Sequence, residues 1–177
     1  VYESMGNLWY QKSENNGSTW SAPKQISYSM EDVIYKNPSL TFYDNRLYLV
    51  FEAIIISDGA RAIYIFSIDQ NGNITDLTPF PLGVNVEAHP TIAVDEENII
   101  VVYKETQVEP LKLIRAFYKN NQWNFTYPIN VSNSTDLSIN PVIVSGNSDP
   151  FLGISPMRNY FHLVWEEREE PTRSELC

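Results

Sequence analysis

Few residues of this chain have types and spacings that could do chemistry on their own. Among 177 residues there are two histidines, His89 and His162, and neither has a ligand-like neighbour at useful spacing, so no metal site is expected. The single cysteine, Cys177, is the last residue; it allows no internal disulfide and no cysteine-based zinc cluster, only pairing with another chain. No glycine-rich phosphate loop, nucleophile elbow or His-Asp-Ser order can be read, and no cofactor is implied. Eleven tyrosines and 22 acidic residues bring Tyr and Glu together by composition alone, so such a pair has little weight as a catalytic sign. What does recur is a polar residue before proline, at Asn37, His89 and Asn140, and a charged residue after an aromatic, at Glu3, Glu52, Lys104 and Glu166.

Twelve basic against 22 acidic residues give a formal charge of −10, which argues against a nucleic-acid partner because phosphate backbones need a basic face. Hydrophobic residues make up 43% and charged residues 19%, enough apolar material for a substantial core. No apolar run approaches the ~18 residues that would span a bilayer, so no membrane span is expected.

The elements that would position the recurring residues follow from a repeat. Pro38, Pro90 and Pro141 stand 52 and 51 residues apart, and each precedes an alternating strand-like stretch, a polar turn and a second strand. The second strands end in Val50-Phe51-Glu52, Val102-Tyr103-Lys104 and Val164-Trp165-Glu166, and a fourth copy, Val1-Tyr2-Glu3, begins the chain. Ser145 to Ser155 looks like an insertion in the last of these turns. Within one period Leu40–Phe42, Leu47–Phe51, Ala62–Phe66 and a short segment near Thr78-Pro79-Phe80 read as four strands, and no capped helical segment is visible. The expected fold is therefore all-β, a β-propeller of four-stranded blades with about three repeat periods in this chain. Residues 1–30 would form the outer strands of one blade, 31–82 and 83–133 two blades, and 134–177 the inner strands of another. The prolines would start the innermost strands, where no ladder donor is yet demanded. Ring closure takes about four to eight blades, so the chain is expected to be an excised part of a larger propeller, or half of a six-bladed assembly of two copies.

Ser13-Glu14-Asn15-Asn16-Gly17-Ser18-Thr19-Trp20 resembles the Asp-box, or BNR repeat, of the sialidase-like propellers, with Asn15 in place of the aspartate. Ser13, Asn15, Gly17, Thr19 and Trp20 carry the match; Ser and Asx oxygens would cap backbone donors, Gly17 would supply positive φ, and Trp20 would fold back to plug the gap between blades. Ser67-Ile68-Asp69-Gln70-Asn71-Gly72 looks like a decayed copy, and Asn120-Asn121-Gln122-Trp123 keeps only the turn and the tryptophan. The motif is structural and identifies fold, not chemistry.

The family's hydrolases use an arginine cluster, a Tyr–Glu nucleophile and an aspartate acid, and none of these can be placed, so the catalytic residues are unknown. Arg46 and Arg158 fall in first hairpins, away from the usual pocket; Arg61, Arg168 and Arg173 are expected in loops that reach the pocket face. Propeller topology would gather Asn37, His89, Asn140, Glu3, Glu52, Lys104 and Glu166 on one polar, mostly acidic rim, joined by Glu31, Asp32 and Glu87. That rim fits a sugar, a cation or a basic partner, or else its Asx and His side chains merely cap the strands. Five Asn-x-Ser/Thr sequons, at Asn16, Asn73, Asn124, Asn130 and Asn133, point to an extracellular or cell-surface protein. The leading expectation is an extracellular sialidase-like propeller that binds a glycan or a protein. The alternatives are part of a sialidase-like glycoside hydrolase whose catalytic residues lie outside this window, and a structural subunit of a surface layer or filament in which Cys177 mediates assembly.

Overall fold

A computed structural model describes residues 1–28, 30–76, 82–84, 88–96, 98–105, 110–119, 122–132, 137–147 and 159–168. All of its regular structure is β, in four antiparallel sheets that follow one another along the chain. The first sheet holds β1 (Tyr2–Ser4), β2 (Asn7–Tyr10) and β3 (Lys24–Gln25). The second holds β4 (Val33–Tyr43), β5 (Arg46–Ile55), β6 (Arg61–Asp69), β7 (Ile74–Asp76) and β8 (Leu82–Val84). The third holds β9 (Thr91–Val94), β10 (Ile99–Tyr103), β11 (Lys112–Lys119), β12 (Gln122–Phe125) and β13 (Ile129–Asn130), and the fourth β14 (Leu137–Asn147) and β15 (Asn159–Arg168). In the second and third sheets the outermost strand is split, β7 and β8 both pairing with β6 and β12 and β13 both with β11. The segment near Thr78-Pro79-Phe80, the Asn120-Asn121 turn and residues 148–158 lie outside the described residues.

Strict alternation explains how the sheets stack. Leu49, Phe51 and Ala53 of β5 join Leu8 and Ile26 of the first sheet in one apolar cluster, while Val50 joins Ile92, Val101 and Ile114 of the third in another. Ile99, Val101 and Tyr103 of β10 face the second sheet in that same cluster, and Ile100 and Val102 pack with Ile143, Leu163 and Trp165 of the fourth. Because successive side chains point to opposite faces, a strand buried on both sides must be apolar at every position, as Leu49–Phe51 and Ile99–Tyr103 are. The first strands of the sheets lie side by side, β4 against β9 and β9 against β14. Thr91 Oγ1 stands at their meeting, accepting from Ile143 N at 3.4 Å and lying 3.5 Å from Ser39 Oγ. Among the described residues nothing covers the far face of the fourth sheet, where Val142, Val144 and Val164 are exposed at 58%, 54% and 69%.

The prolines sit differently from the expectation. Pro90 immediately precedes β9, but Pro38 and Pro141 lie inside β4 and β14, at register shifts between Lys36 and Ser39 and between Ile139 and Val142. A bulge frees one residue from the ladder, so the missing proline N–H costs no hydrogen bond and the strand continues through it.

A serine device closes two of the outer edges. Ser27 Oγ accepts from Leu8 N at 3.1 Å in the first sheet, and Ser132 Oγ accepts from Leu111 N at 2.9 Å in the third. In each case the residue before the serine donates its amide to that same leucine's carbonyl, Ile26 to Leu8 and Val131 to Leu111.

Candidate functional site

The residues before the three prolines share a backbone state that proline ordinarily disfavours. Asn37, His89 and Asn140 have φ of 50°, 42° and 51°, all left-handed. An L side chain there crowds the following carbonyl, at a cost of ~1–2 kcal/mol for most residues and less for Asn. The turn coincides with the register shifts at Asn37 and Asn140 and precedes β9 at His89, and an acid accepts from each of the three residues. Asn37 Nδ2 donates to Glu52 Oε1 at 2.7 Å, and Asn140 Nδ2 donates to Glu166 Oε2 at 3.1 Å. His89 uses its backbone, its N–H donating to Glu52 Oε1 at 2.9 Å.

The expected rim is thus resolved into clusters, with two corrections. Glu52 is fully buried, and Lys104 is 6% exposed; neither lines an open surface. Glu52 can be buried because Asn37, His89 N and Arg61 surround its carboxylate, Arg61 Nη1 lying 3.4 Å from Oε2. Lys104 follows the buried Tyr103 and its N–H donates to Ala88 O at 3.0 Å, next to His89; burial lowers its ammonium pKa from the ordinary value. His89, Asn140, Glu166 and Glu3 are exposed and Asn37 is half-buried. Among the connecting residues, Asp32 O accepts from Ile56 N at 2.9 Å and its carboxylate accepts from Ser57 Oγ; Glu31 is exposed and Glu87 lies outside the described residues.

The arginines also differ from the expectation. Arg46 opens β5 directly after the first hairpin, as its placement there implies. Arg61 and Arg168, however, are the first residue of β6 and the last of β15, strand ends and not loop residues, because both strands run further than their apolar cores. Arg158, Arg173 and Cys177 lie outside the described residues.

The turn at Ser13 to Thr19, which resembles an Asp-box in sequence, closes through its polar atoms. Ser13 Oγ accepts from Gly17 N at 2.8 Å, Asn15 Oδ1 accepts from Thr19 N at 2.8 Å, and Asn15 Nδ2 donates to Thr19 Oγ1 at 2.9 Å. Gly17 takes φ of 84° and Asn16 φ of 55°. Trp20 does not plug a gap between sheets: it is 61% exposed. It precedes a stretch without regular pairing that ends only at the two-residue β3, so no sheet face is delivered against its indole. The turn after β6 closes in a similar way: Asp69 Oδ1 accepts from Asn71 N and Asn73 N, both at 2.9 Å, and the Asn73 bonds hold the carboxyl below its ordinary range.

Of the sequons, Asn16 and Asn73 are exposed in turns, Asn124 lies half-buried in β12, Asn130 is exposed in β13, and Asn133 falls outside the described residues. Two of them already use their side chains, Asn73 Nδ2 donating to Asp69 Oδ2 and Asn130 Oδ1 accepting from Lys112 Nζ, both at 2.9 Å.

Among the described residues no helix is long and apolar enough to cross a membrane. In comparisons with known proteins, no protein-family model matches the chain and no curated protein does.

Proposed function

We propose that the chain is a run of blades from a sialidase-like β-propeller that acts as an extracellular binding module for a glycan or a protein partner. The recurrence at Asn37, His89 and Asn140 carries this conclusion. Three residues, 52 and 51 apart, hold the same strained backbone, Asn37 and Asn140 each on an acid of its own sheet and His89 by its N–H on Glu52 of the sheet before, and strain of this kind is retained where function uses it. The side chains of His89, Asn140, Glu166 and Glu3 are exposed and polar. The serial sheets with adjacent first strands support the radial arrangement, and the closed Ser13–Thr19 turn supports the resemblance. The remaining blades would come from the parent chain or a second copy, the next one lying over Val142, Val144 and Val164.

A glycan-array screen of the folded chain beside His89→Ala and Glu166→Ala tests the rim. A glycan bound by the parent and lost by both variants is the expected result; equal binding by all three removes the rim as the site. A subunit that assembles through open sheet faces is a second reading, favoured by the exposed valines, and visible polymers would select it.

A further inference from the structure

The first sheet is too short to cover the second. Its β1 and β2 have three and four residues, and the cluster they share with the second sheet runs along β5 from Leu47 to Ala53 and takes in Tyr35, Phe66 and Ile68. Where Ala53 pairs with Ala62, two methyl side chains leave the floor low. The result is a cavity of about 350 Å³ walled mainly by Tyr28, Met30, Tyr35, Phe51, Tyr64 and Phe66. Its rings are held against one another: Phe51 meets Phe66 edge-on at 4.9 Å and stacks on Tyr64 at 5.9 Å, Tyr35 meets Phe51 at 5.8 Å, and Tyr28 meets Phe66 at 5.8 Å. Tyr28 and Met30 at the mouth are 53% and 56% exposed, apolar groups left in water.

Polar chemistry in the cavity is sparse and neutral. Arg61 is the charged group in its wall, and Glu52 behind it cancels that charge at 3.4 Å. The other guanidinium N–H groups, and the hydroxyl of Tyr35, which is 4% exposed, have no hydrogen-bond partner among the described residues. Burial raises the Tyr35 pKa and keeps that hydroxyl a donor. A carboxylate ligand would bring a second negative charge toward the buried Glu52, and a sugar would leave hydroxyls unpaired against the rings. The volume lies at the low end of the ~300–1,000 Å³ usual for small-molecule sites.

We propose that this cavity binds a small, neutral, ring-containing molecule bearing a carbonyl or hydroxyl oxygen, the ring lying among the aromatic side chains and the oxygen accepting from Arg61 or Tyr35. The site is separate from the strained rim and does not depend on it. Benzamide and benzoate, alike in size and different in charge, are the probes, titrated into the full chain and followed by amide chemical shifts. Benzamide is expected to saturate with shifts around Tyr35 and Tyr64, and benzoate to bind at least tenfold more weakly. Ala62→Phe fills the cavity and should weaken benzamide tenfold or more; Tyr28→Ala, at the exposed mouth where folding is not at stake, should weaken it several-fold. Equal affinity for the two probes, unchanged binding by Tyr28→Ala, or no saturation by benzamide would overturn the proposal.

Discussion

Glu52 of β5 and His89, just before β9, stand 37 residues apart, and the buried carboxylate of the first accepts from the backbone amide of the second at 2.9 Å. The same carboxylate accepts from Asn37 of its own sheet and pairs with Arg61. One acid therefore holds two of the three left-handed turns and ties the second sheet to the third.

Glu52→Ala should accordingly cost about 3 kcal/mol, because it removes the carboxylate that pairs with Arg61 and accepts two hydrogen bonds. Glu52→Gln keeps an acceptor and should cost less. Urea denaturation with an unchanged slope measures both; a loss under 1 kcal/mol for the alanine variant would show that the acid is not a tie.

At His89 the usual order of strand residues should invert. His89→Ala and His89→Gly remove the same side chain, yet only alanine keeps the cost of φ at 42°, so the glycine variant should be the more stable by about 1 kcal/mol. Thermal melts of the pair decide it, and an alanine variant as stable as the glycine one would refute the strain.

In the Ser13–Thr19 turn, Ser13→Ala and Asn15→Ala should each cost about 1 kcal/mol through the capping bonds to Gly17 N and Thr19 N. Trp20→Ala should cost under about 0.5 kcal/mol, as surface substitutions do. Chemical denaturation ranks the three, and a tryptophan effect larger than the serine one would restore the plugging role.

Tyr103, 1% exposed, has its hydroxyl pushed up from 10.0 to about 12 by burial. The folded value lies above the unfolded one, so its contribution is complete below pH 10 and is lost as pH rises toward about 12. The loss should reach about 2–3 kcal/mol, and Tyr103→Phe should flatten the stability profile in that window. A parent profile already flat between those limits would contradict the assignment.

Much of this was legible in the chain because period and alternation report directly on sheets. Leu47–Phe51 and Ala62–Phe66 fall inside β5 and β6, and the polar pattern of Ser13 to Thr19 reports its own turn. The site was less legible. A residue before proline reads as extended, since the α region crowds the proline ring, and nothing local announces that Asn37, His89 and Asn140 turn left-handed. An acid at a strand end reads as exposed, and the burial of Glu52 depends on His89 and Arg61, partners 37 and 9 residues away. The serine device did have a signal, the repeated apolar-Ser pairs Ile26-Ser27 and Val131-Ser132, but it shows only once the edge strands are paired.

In the proposed arrangement another sheet of the same kind covers the far face of the fourth sheet. Light scattering of the isolated chain beside Val144→Asp tests it most directly, because Val144 is 54% exposed at the middle of that face. The parent chain is expected to associate and the aspartate variant to stay monomeric; a parent chain that is a stable monomer, unaffected by the substitution, would overturn the arrangement.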